Sequence, residues 1–130
     1  MLRKLSVLGT AAVCVATGLP LASGSPAAAG TAFGCHYPQV CLYQSGSDWE
    51  DRHPTASYRR MTSQWQRLGA GGRHSHAVYN SRNDDAVWLL DQDGTSACVK
   101  PGDTWFYDET DYPWHIVGIR IVDEPGCVAG

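Results

Sequence analysis

Histidine pairs, clustered carboxylates and cysteines are the residues of this chain with chemistry to offer. His74-Ser75-His76 sets two imidazoles two residues apart. On a strand, where successive side chains alternate, both would share one face. Joined by His115 or Asp84, they would form a zinc-ligand set. The plainer reading is two polar residues at a strand edge after a Gly-rich turn. Asn83-Asp84-Asp85 and Asp91-Gln92-Asp93-Gly94 offer hard oxygens of the kind calcium prefers. Gly94 comes too early for an EF-hand loop, and Asp and Asn side chains serve as well to close turns on their own backbone. No metal is expected.

Catalytic patterns are sparse. Ser, His and Asp all occur, but without a Gly-x-Ser-x-Gly elbow or a His-Glu-x-x-His helix. Gly69-Ala70-Gly71-Gly72 lacks the lysine of a phosphate loop and reads as a turn. Asp48 and Asp51 fall among turn residues, where solvated charge is the default. The expectation is a protein that is not an enzyme and carries no cofactor.

The first residues read as an export signal. Arg3 and Lys4 precede an apolar stretch from Leu5 to Val15, and Ala27-Ala28-Ala29 supplies an A-x-A cleavage site. Pro20, Ser23, Gly24, Ser25 and Pro26 interrupt the apolar run well before the about 20 residues a membrane span needs. Val13 before Cys14 does not suit a lipid-anchor box. The expected division is a signal peptide over 1–29 and one secreted domain over 30–130. Within that domain acidic residues outnumber basic ones, which argues against a nucleic-acid surface. A monomer without membrane attachment is expected.

Four cysteines remain after the signal: Cys35, Cys41, Cys98 and Cys127. An even number in an oxidising compartment suggests two bridges, with three connectivities possible. Cys35 and Cys41 flank a short loop containing Pro38 and are natural partners. Cys98 would then join Cys127 and staple the C-terminal tail to a hairpin.

That hairpin is the strongest local signal. Ala86-Val87-Trp88-Leu89-Leu90 is a strand-type run, Asp93-Gly94 a turn, and Ala97-Cys98-Val99-Lys100 the return, stopped by Pro101-Gly102. Further strand candidates are Val40 to Tyr43, Ser57 to Arg59, Gln64 to Leu68, His76 to Asn80, Thr104 to Tyr107 and Ile116 to Val122. No window carries a long helical stripe, so the class is all-β. The chain also parallels itself once. Val40 to Gln44 matches Val87 to Asp91, and His76 to Asn80 matches Val117 to Ile121. Two four-strand units fit a duplicated Greek key.

Cys35 to Tyr43, His76-Ala77-Val78-Tyr79-Asn80 and Cys98-Val99-Lys100-Pro101 together resemble secreted actinobacterial βγ-crystallin-like proteins of the Streptomyces-type metalloproteinase inhibitor family. The resemblance covers most of the chain after the signal, through short motifs. It implies a disulfide-stapled, βγ-crystallin-like sandwich of two Greek keys that inhibits a thermolysin-like extracellular protease. The implied reactive site is Cys98, Val99 and Lys100, with Val99 entering the protease pocket as a slowly cut substrate would. The competing reading makes Val99 an ordinary core residue. In the family a second cysteine closes a tight loop just after the reactive strand. Here Pro101, Gly102 and Asp103 follow, and the next cysteine is Cys127. The crystallin-type calcium motif is also missing, since Gly72 to Ala77 lacks both its carboxylates and its serine pair.

Five tryptophans and six tyrosines support an alternative. Adjacent aromatics in Trp105-Phe106-Tyr107 and Tyr112-Pro113-Trp114 cannot all face inward. Exposed rings would suit an extracellular binding module or a crystallin-fold toxin acting at a glycan or the cell envelope.

Overall fold

The computed structural model describes residues 30–107 and 115–128. The expected signal peptide and Tyr112-Pro113-Trp114 lie outside the described residues. In chain order the elements are β1 (Val40–Tyr43), α1 (Gly46–Glu50), β2 (Ala56–Tyr58), β3 (Gln66–Arg67), β4 (Ala77–Asn80), β5 (Ala86–Asp91), β6 (Ser96–Val99), β7 (Thr104–Phe106) and β8 (Ile116–Val122). Every expected strand is present, several of them trimmed at the ends. The short helix α1 stands where a turn was expected. Ser45 caps it, accepting from the Asp48 amide while Asp48 accepts from the Ser45 amide in return. This reciprocal box satisfies two donors that would otherwise lack partners.

The strands form two four-stranded sheets, ordered β2-β1-β4-β7 and β3-β8-β5-β6, with every strand pair antiparallel. Each half of the chain gives three strands to one sheet and its third strand, β3 or β7, to the other. The halves are therefore interlocked rather than merely apposed. The inward residues of both sheets meet in one core of Val40, Leu42, Leu68, Val78, Val87, Leu89, Val99, Ile116, Ile119 and Ile121. Each such aliphatic side chain contributes roughly 1.5–3 kcal/mol on full burial.

The outer faces of the two sheets differ. In β1 and β4 every residue is buried, so the two central strands of that sheet are covered on both sides. Its outer cover is a second cluster of Cys35, Cys41, Tyr43, Ala77 and Tyr79, with Ala32 and Trp49 packed against it. Phe33 stacks on Trp49 at 4.6 Å, and Tyr43 and Phe106 meet Trp49 edge-on, each at 5.0 Å. The Cys35–Cys41 disulfide pins this N-terminal cover to β1. In β5 and β8 buried positions are interspersed with half-buried ones, the signature of a sheet with one face open. The second disulfide, Cys98–Cys127, ties β6 to the C-terminal tail. It closes a loop of 29 residues in sequence separation, for which chain-entropy reasoning gives about 3–4 kcal/mol.

A buried polar knot joins the halves at the β4–β5 link. The Asn80 amide nitrogen donates to the Asp85 carbonyl at 2.8 Å and the Val99 carbonyl at 3.1 Å. Its oxygen accepts from the Arg82 amide at 3.1 Å. Arg82 forms a salt bridge to Asp85 at 2.6 Å and reaches the carbonyls of Pro38 and Arg59. Asp85 is thereby committed to an arginine.

Two expectations follow. Asn80→Ala should destabilise the domain by about 2–3 kcal/mol, because it strands buried backbone groups without partners. Denaturant unfolding would measure this, and an unchanged midpoint would contradict it. The second concerns Tyr43, whose hydroxyl donates to the Phe33 carbonyl at 2.8 Å. Burial first, and the nearby Tyr79 second, push the Tyr43 phenol from 10.0 up to about 12. The folded state thus holds this proton more tightly than the unfolded chain does. The resulting stability is complete below pH 10 and is lost as pH rises through about 12. Alkaline unfolding of Tyr43→Phe should lack this component, while an identical profile for both proteins would refute the assignment.

Candidate functional site

The residues first singled out for chemistry separate in space. The strand β4 begins at Ala77, so His74 precedes it, with a positive φ of 56°. The expectation of two imidazoles on one strand face is thereby corrected. His74 lies against His115, ring centroids 4.6 Å apart, whereas His76 faces Phe106 at 6.2 Å. Among the described residues no three His, Cys, Asp or Glu side chains converge as metal ligands. The Asp-rich stretches close turns. Asp93 Oδ1 accepts from the Thr95 amide and hydroxyl at 2.8 and 2.7 Å. Asp91 is buried and accepts from the backbone amides of Asp93 and His115.

Cys98, Val99 and Lys100 run from the end of β6, an edge strand, into the turn beyond it. Cys98 pairs with Trp88 and Val99 with Val87. The Val99 side chain is only 2 % exposed and belongs to the central core. Its carbonyl is taken by Asn80. Lys100 is exposed, and its carbonyl accepts from the Asp103 amide at 3.1 Å. As folded, therefore, this segment presents Lys100 to a partner but not Val99.

The open face of the second sheet carries a feature that motif reading missed. Register places Arg67 opposite Gly118, and Gly118 opposite Leu90 on its other side. Val87, Leu89, Ile119 and Ile121 point to the core, so alternation turns Arg67, Gly118 and Leu90 outward. Over them lies a groove of about 360 Å³, lined by Trp65, Gln66, Arg67, Arg73, Leu90, Gln92, Val117 and Gly118. The glycine clears its floor. A Cβ at Gly118 would stand 3.2 Å from Leu90 Cβ, closer than ordinary contact.

Trp65 lines this groove and is itself held by a neighbouring cation. The Arg120 guanidinium lies over its ring, 5.0 Å from the centroid, a cation–π contact worth roughly 0.5–2 kcal/mol. Gln66 donates to the Arg60 carbonyl at 2.7 Å, and Arg73 Nε to the Leu68 carbonyl at 3.0 Å. An indole face, apolar floor and amide and guanidinium groups at the rim fit a ligand with both apolar and hydroxylated surfaces. The composition signal was the abundance of tryptophan. The site itself draws on several separate segments, which no single motif spans.

Val99→Leu separates the two readings of that residue. An extra methylene group in the core should cost about 1–3 kcal/mol through overpacking, read as a lower urea midpoint. An unaltered midpoint would place Val99 outside the packed core.

Compared with protein-family models, with curated proteins and with solved structures, the chain matches none.

Proposed function

We propose that this chain is a secreted, non-enzymatic binding module of βγ-crystallin-like, double Greek-key build that recognises saccharide of the cell envelope. The observation that carries the reading is the groove over Gly118, with the Trp65 indole as its wall and Gln66, Gln92, Arg67 and Arg73 around it. Sugar rings offer an apolar face for stacking on indole and hydroxyls for amide and guanidinium groups. The symmetric exchange of β3 and β7 between the sheets supports the Greek-key assignment. Two disulfides and the export-type leader support secretion, and no described helix is long and apolar enough to cross a membrane.

Inhibition of an extracellular metalloprotease is the second reading. It is favoured by the exposed Lys100 and Gly102 at the end of an edge strand anchored through Cys98. It ranks second because Val99, the residue that would fill the protease pocket, lies in the core.

Pull-down with insoluble cell-wall polysaccharide should retain the purified domain. Trp65→Ala should weaken retention about tenfold, equivalent to roughly 1.4 kcal/mol, with its melting temperature followed in parallel as a check on folding. Absence of retention, together with dose-dependent inhibition of a thermolysin-like protease, would replace the first reading with the second.

A further inference from the structure

Resting on the saccharide reading of the groove, we infer that its ligand is acidic: a saccharide whose pyranose rings carry carboxylates. Arg67 and Arg73 line the groove, and Arg120 lies over the ring of Trp65. Among the described residues, no carboxylate lies within ion-pair distance of any of the three. The one salt bridge found there joins Arg82 to Asp85, at the knot between the halves.

That concentration runs against composition. The whole chain has 13 acidic and 10 basic residues, so carboxylates are plentiful, yet none of the described ones forms an ion pair with these three guanidiniums. Like charges gathered beside one groove repel one another, and an anionic ligand would relieve that repulsion. The side chains are also partly positioned in advance. Arg73 is tethered through Nε to the Leu68 carbonyl, and Arg120 Nε is buried without a hydrogen-bond partner. Guanidinium groups match carboxylates through paired N–H donors, a geometry lysine does not reproduce. A ring carboxylate projects from the sugar's edge, so a pyranose stacked on Trp65 would direct it towards the rim where Arg67 and Arg73 lie. A phosphodiester would place its charge along the chain axis, between rings and away from the stacking face.

The test is calorimetric titration of the purified domain with oligogalacturonate, its methyl-esterified form, a neutral glucan oligosaccharide and polyglycerol phosphate. Oligogalacturonate should bind about tenfold or more tighter than its ester, with the advantage shrinking as salt is raised. Arg67→Gln should weaken oligogalacturonate binding by a larger factor than ester binding, and Arg67→Lys should restore that preference only in part. Arg67 is exposed, so neither variant threatens folding. Equal affinity for acid and ester would overturn the carboxylate inference and leave the saccharide reading standing. Tighter binding of polyglycerol phosphate would overturn it in favour of a phosphate ligand. No binding to any saccharide would overturn both.

Discussion

The side chains of Asn80 and Arg82 hold together parts of the chain that lie far apart in sequence. Asn80 closes β4 in the first sheet, and its amide reaches Asp85 before β5 and Val99 at the end of β6 in the second. Arg82 adds the carbonyls of Pro38, ahead of β1, and Arg59, just after β2. The approach to the first sheet, the link between halves and the edge of the second sheet thus share two polar side chains. Such groups are costly to break: removing one partner of the buried Arg82–Asp85 ion pair would forfeit roughly 3–5 kcal/mol. Their directionality supplies what aliphatic packing does not. The core would tolerate several alignments of similar volume, whereas these hydrogen bonds accept one.

With the two sheets fixed face to face, their outer faces take different roles. The first is largely covered by the N-terminal segment and α1, where Phe33, Tyr43 and Phe106 pack around Trp49 and Cys35–Cys41 pins the segment to β1. The second keeps an open face, with Gly118 leaving a hollow between Arg67 and Leu90. The aromatics therefore divide by task. Tyr43 and Tyr79 build a second core, while Trp65 is set at the groove with Arg120 against its ring. The His74–His115 pair stacks near the turn that Asp91 closes.

Strand positions were legible because apolar runs and Gly, Pro and Asp punctuation reflect local physics. The same holds for the Cys35–Cys41 bridge, whose short spacing leaves few alternatives. The helix α1 carried a readable sign in Ser45-x-x-Asp48, but five residues beginning with glycine have little intrinsic helical tendency. His74 and His76 misled because a positive φ at His74 breaks the alternation on which a shared face depends. The Arg82–Asp85 pair was hidden within a stretch that reads as turn-closing Asn and Asp side chains. The groove was illegible for a different reason. Trp65, Arg73, Leu90, Gln92 and Gly118 are far apart in sequence, and only the crossing of β3 beside β8, with β5 on the other side, brings them together.

Amide and indole chemical-shift mapping by nuclear magnetic resonance, with an acidic oligosaccharide titrated into the labelled domain, tests the central claim most directly. The account predicts saturable shifts at the Trp65 indole N–H and at the amides of Arg67, Gln92 and Gly118, with those of β1 and β4 unmoved. Shifts centred on Lys100 to Gly102, or on the Phe33, Trp49 and Phe106 surface, would contradict it.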